Sequence, residues 1–153
     1  MDQDLSPDDY AKFFAFFNEV AIIAQLSRSI FEARLPDGAT VAHFSVLNNL
    51  IRVKDGRTPL ELARAFQVPK TTMTNTLAGL EKRGLIAMRP NSKDGRSKQV
   101  WLTDKGYEFR GMAIGLLSRD MDRLGKKLDL EKIKAIIPEL AEIRRVIDED
   151  RNI

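Results

Sequence analysis

TPLELARAFQVPKTTMTNTLAGLEKRGLIAMRPNSKDGRSKQVWLT, residues 58–103, decides how this chain folds. Thr58-Pro59-Leu60-Glu61 combines the S/T-x-x-E capping box with proline at the first helical position, two signals for a helix start. Val68-Pro69 closes that helix after a short run. A second helix is expected from about Lys70 to Arg83, with Met73, Leu77 and Leu80 as its inward stripe and Gly84 as its stop. Leu85 to Arg89 and Gln99 to Leu102 then read as paired strands, because Ile86, Met88, Val100 and Leu102 alternate with polar neighbours. Asn91 to Ser97 is too polar to pack and projects as a loop. The order is helix-turn-helix followed by a β-wing.

Charge gathers on the same stretch. Residues 52–98 hold 11 Lys and Arg against 4 Asp and Glu; from chain totals of 25 and 22, the remainder holds 14 against 18. Basic charge collected on one module, rather than scattered with both signs, is the footprint of a polyanionic partner.

Outward from this core, Ser6-Pro7-Asp8-Asp9 starts a helix expected to reach about Arg34, with Phe13, Phe16, Phe17, Val20, Ile23, Ala24, Ile30 and Phe31 along a broad apolar face. Thr40 caps a further helix with Phe44, Leu47, Leu50 and Ile51 expected inward, ending at Lys54-Asp55-Gly56. Thr103 caps a long helix to about Lys127. Asp129 begins the last one, striped by Leu130, Ile133, Ile136, Ile137, Leu140, Ile143, Val146 and Ile147, with Pro138 expected to kink it without ending it. The expectation is one mainly α domain over 1–153: a winged helix-turn-helix at about 40–103, flanked by apolar helices at about 6–34 and 104–150. A compact winged module covers only part of those two terminal stripes, which favours an intertwined homodimer.

Composition narrows the function. With 153 residues, 43% hydrophobic and 31% charged, the chain can build one core. No apolar run reaches the length of a membrane span, and the acidic start MDQDLSPDDY lacks the basic region of a secretory signal, so a cytoplasmic location and no membrane partner are expected. Cysteine is absent and histidine occurs once, which leaves no thiolate chemistry and no metal or cofactor site to propose. No phosphate-cradling loop or nucleophile elbow is present, so no enzyme is expected.

The residues suit duplex DNA. On the second helix of the pair, Thr71, Thr72, Asn75, Ala78, Gly79 and Lys82 lie opposite the apolar stripe. Short hydroxyl and amide groups allow close approach to base edges; asparagine can pair with adenine in bidentate fashion, and a threonine methyl can meet that of thymine. Lys70, at the helix start, is placed for phosphate. On the wing, Arg89, Lys93, Arg96 and Lys98 surround a turn at Asp94-Gly95, and an extended guanidinium suits a narrow minor groove. Asp94 is expected either to pair with and aim Arg96 or to close the turn through a backbone N–H. The competing reading is a winged module that binds protein or structured RNA.

The run Arg89…Asp94-Gly95-Arg96…Val100-Trp101-Leu102-Thr103-Asp104-Lys105-Gly106, with its D-x-R tip and L-T-x-x-G, resembles the wing of MarR-family regulators. Leu62-Ala63…Val68, Leu80-Glu81-Lys82-Arg83-Gly84-Leu85-Ile86 and Phe44-Ser45-Val46-Leu47 are similar to the same family's pattern. The resemblance implies a homodimeric, ligand-responsive repressor on a pseudo-palindromic operator, with interlocking first and last helices. It also implies a small aromatic or phenolic acid effector, for which His43 is the first candidate and Phe13, Phe17 and Arg28 follow. Two departures stand out. Many relatives carry arginine where this chain has Asn75, which turns the expected base contact from guanine toward adenine, and Pro69 replaces a frequent serine cap.

Overall fold

The computed structural model describes residues 4–151. Among these, six α-helices, one 3-10 turn and two strands follow one another as α1 (Pro7–Glu32), the turn Pro36–Gly38, α2 (Val41–Arg52), α3 (Pro59–Phe66), α4 (Lys70–Lys82), β1 (Ile86–Pro90), β2 (Lys98–Leu102), α5 (Asp104–Gly125) and α6 (Leu130–Arg151). The described residues up to Val41 form one compact unit and those from Ala42 onward a second.

In the first unit, α1 starts as its sequence dictates. The Ser6 hydroxyl accepts the Asp9 N–H at 3.2 Å and the Asp9 carboxylate accepts the Ser6 N–H at 3.0 Å, closing the capping box. Hydrogen bonds from the Ser6 hydroxyl and N–H hold the Asp9 carboxyl below its ordinary pKa. No residue of α1 is buried.

The second unit is built around a winged helix-turn-helix. Its core is Val46, Leu47 and Leu50 of α2, Leu62 and Ala63 of α3, Met73, Leu77 and Leu80 of α4, and Leu85, Ile86 and Val100 of the wing. The inward stripe of α4 is the one its spacing foretells. That of α2 is rotated: His43, Val46, Leu47 and Leu50 are buried at three- and four-residue spacing, while Phe44 and Ile51, expected inward, are half-covered. Apolar residues at 44, 46, 47, 50 and 51 spread over two overlapping faces that share Leu47 and Leu50, and the pattern cannot choose between them. Packing chooses the face carrying His43.

Three local devices fix the module. Thr58 and Glu61 form the second capping box, with the Glu61 carboxylate accepting the Thr58 N–H at 2.8 Å, the main cause of its lowered pKa. The strands pair antiparallel, Ile86 opposite Leu102 and Met88 opposite Val100, and Arg57 adds a bridge to Val100. The Asp55 carboxylate accepts the Leu102 N–H at 2.9 Å, which ties the α2–α3 loop to β2.

The L-T-x-x-G segment is a joint. The Thr103 hydroxyl accepts the Gly106 N–H at 3.0 Å and donates to the Gly84 carbonyl at 2.7 Å. A Cβ at Gly106 would lie 2.0 Å from the Leu85 carbonyl oxygen, so only glycine lets α5 start against the end of α4. Gly84 itself sits at φ 70°, the left-handed conformation that ends α4. From this joint α5 buries Phe109, Ala113 and Leu117. Helix α6 runs through Pro138 as one element and buries no residue. Its end reaches the helix-turn-helix, where the Gln67 amide donates to Asp148 at 3.0 Å and accepts from Arg151.

Candidate nucleic-acid interface

Helix α4 is held by its buried stripe, and its other side is open. Lys70, Thr71, Thr72, Asn75 and Lys82 are all exposed. Thr71, Asn75, Ala78 and Lys82 recur at four-, three- and four-residue spacing, so they form one stripe opposite Met73, Leu77 and Leu80. The stripe carries no acid and no bulky side chain. Lys70 stands in the first turn, where N–H groups lack helical partners. Pro69 occupies the N-cap with no side-chain hydrogen bond, as the sequence requires.

Gly79 departs from the sequence reading. It was expected on the outward direction, but it is partly covered by His43 of α2. His43 is 8% exposed, and burial, followed by the charge of Arg83, pushes its pKa down, so the ring is neutral near pH 7. A lone histidine beside a glycine gave no sequence signal for this packing. The other effector candidates lie on α1: Phe13 and Phe17, one turn apart, are about half exposed, and Arg28 is exposed.

The wing loop is ordered by its own polar side chains. The Asn91 amide oxygen accepts the Lys93 N–H at 3.0 Å, the Asp94 carboxylate accepts the Arg96 N–H at 3.0 Å, and the Asn91 and Ser97 backbones meet at 3.1 Å. Of the two roles expected for Asp94, closing the turn through a backbone N–H is the one observed. Arg89, Lys93, Arg96 and Lys98 are exposed around that turn. A groove of about 170 Å³, lined by Pro59, Thr74, Ala78, Glu81, Met88 and Lys98, joins α4 to the wing. Asp55, expected only as part of the turn after α2, and Gln67, which no pattern marks, brace the module through partners 47 and 81 residues away, a range at which local pattern carries no signal.

Among the described residues, no group of three or more His, Cys, Asp or Glu could hold a metal ion, and no helix is long and apolar enough to cross a membrane. A short-residue helix face and a basic hairpin, carried on one core, define a winged helix-turn-helix protein. Residues 37–97 match the model of the MarR family. Among solved structures, the chain is similar to the transcriptional regulator BldR from Sulfolobus solfataricus, at 23% identity and TM-score 0.79 over 92% of this chain and 99% of that one. It is also similar to a cysteine-to-serine mutant of MarR from E. coli complexed with operator DNA, at 23% identity and TM-score 0.76, again over 92% and 99%. The PcaV transcriptional regulator from Streptomyces coelicolor follows at 20% identity and TM-score 0.65, over 89% and 97%. The winged module is thus similar to that of the MarR family over residues 37–97, and the chain shares its fold with these solved regulators.

Proposed function

We propose that this chain is a cytoplasmic, sequence-specific transcriptional regulator that binds duplex DNA as a homodimer on a pseudo-palindromic operator and acts as a ligand-responsive repressor. One observation carries the reading: the Thr71–Asn75–Ala78–Lys82 stripe and the Arg96 loop are both exposed on one braced module, with no acid in the stripe. In this account Asn75 and its threonine neighbours read bases in the major groove, Arg96 enters a flanking minor groove, and Lys70, Arg89, Lys93 and Lys98 contact phosphates. The E. coli MarR mutant with a similar fold is itself complexed with operator DNA.

The homodimer rests on unpartnered apolar surface. Helices α1 and α6 bury no residue, yet Phe13, Phe14 and Ile23 of the first and Ile133, Ile137 and Val146 of the second are large and exposed. A second copy offers the same stripes, and two-fold symmetry sets two copies of α4 about 34–36 Å apart, one turn of DNA. For the effector, Phe13, Phe17 and Arg28 offer ring surface and a cation to a small aromatic acid. His43 can take part only if its contact with Gly79 opens.

Fluorescence anisotropy with the chain's own upstream DNA, across a salt series, tests the reading. It predicts saturation at one dimer per site and a steep fall in affinity with salt. Equal affinity for unrelated duplexes, or a preference for structured RNA, would reject it.

A further inference from the structure

Gly79 sits inside α4, where glycine costs about 1 kcal/mol relative to alanine. Its backbone is not in the left-handed region, so conformation does not require it. Space does. A Cβ at Gly79 would lie 2.6 Å from His43 Nε2, 3.3 Å from His43 Cε1 and 3.3 Å from Arg83 Nη1. Neither neighbour is placed to withdraw freely. His43 shares the buried face of α2 with Val46, Leu47 and Leu50, and Arg83 Nη1 donates to the Gly79 carbonyl at 3.0 Å.

We propose that His43 is a positioning residue for base reading: its imidazole, seated against the bare backbone of Gly79, fixes how α4 presents Asn75 and its stripe. The inference rests on the proposed DNA-reading role of α4. Gly79 and Asn75 are four residues apart, so a helix pushed away at Gly79 carries Asn75 with it. Bidentate contacts to a base edge need placement to about 0.5 Å, whereas lysines on flexible stems follow a phosphate through such a shift. Disturbing the seat therefore lowers discrimination between bases more than it lowers affinity for DNA in general.

Three variants test this: Gly79→Ala, His43→Ala and the two combined. The first readout is the affinity ratio between the operator and an operator with one base pair replaced in each half-site. Gly79→Ala is expected to lower that ratio about tenfold with the salt dependence unchanged, and the double variant to bring it back within about threefold of the parent. A Gly79→Ala ratio equal to the parent's, or a double variant no better than Gly79→Ala, would overturn the proposal. The second readout needs no DNA: amide chemical shifts of Thr71 to Lys82. They should move along the helix in Gly79→Ala and return in the double variant, and shifts confined to Gly79 and its neighbours would overturn the seat. If the parent binds no duplex, the DNA reading fails by itself, while the amide shifts still decide whether His43 seats α4.

Discussion

Leu47, Leu62 and Leu80 of the winged module have no exposed surface, whereas Phe14 and Ile23 of α1 stand 73% and 63% exposed and Ile137 of α6 58%. The chain handles equally apolar side chains in opposite ways. Within the module, capping boxes, the two-stranded wing and the joint at Thr103 turn every long apolar stripe onto another. In α1 and α6 the stripes are as regular, but no described residue of either helix is buried. The contrast teaches that the module completes its core within one chain while the terminal stripes stay open; in the proposed account a second copy covers them.

The largest expected effect attacks the terminal helices. Combining Ile136→Asp with Ile143→Asp places two carboxylates on one face of α6, in a stripe that the account buries, and should weaken dimerisation at least about 1,000-fold, or roughly 4 kcal/mol. Analytical ultracentrifugation would check it, with far-ultraviolet circular dichroism retained because the module keeps its own core. An unchanged sedimentation coefficient would break the comparison from the α6 side.

Gly106→Ala attacks the module instead. The obstructing atom is a backbone carbonyl, so α5 must shift against α4, and a loss of about 3 kcal/mol is expected in urea unfolding at any protein concentration. Thr58→Ala, which removes one half of a capping box, should cost about 1 kcal/mol in the same experiment.

The smallest effect is a pH dependence. Burial holds the His43 pKa below its ordinary value of about 6.5, so the folded state binds fewer protons than the unfolded one as the pH falls. His43 therefore costs nothing above that value and destabilises the module progressively below it. Urea midpoints at pH 7.5 and 5.5 should differ less in His43→Gln than in the parent.

Much of this module was legible in the residues. The Thr58–Glu61 box, the Met73–Leu77–Leu80 stripe, the alternating strands and the Thr103 cap are local patterns with one physical outcome each, and the structure contains them all. What the pattern could not supply was contact at a distance. Gly79 looks outward on a helix drawn alone, and only the choice of the His43 face of α2 turns it into a seat. The role of Asp94 stayed divided because pairing and turn closure use the same carboxylate at nearly the same reach. The exposed stripe proposed to read bases was visible as short polar residues, but the bases themselves are set by the DNA and leave no mark on the chain.

Hydroxyl-radical footprinting on the chain's own upstream DNA addresses the central claim most directly, since it registers duplex binding and two-fold symmetry together. The account predicts a symmetric protected site whose two halves are centred about 10 base pairs apart, with the outer minor-groove protection lost in Arg96→Ala. A single unsymmetric patch, or an outer boundary that ignores Arg96→Ala, would contradict it.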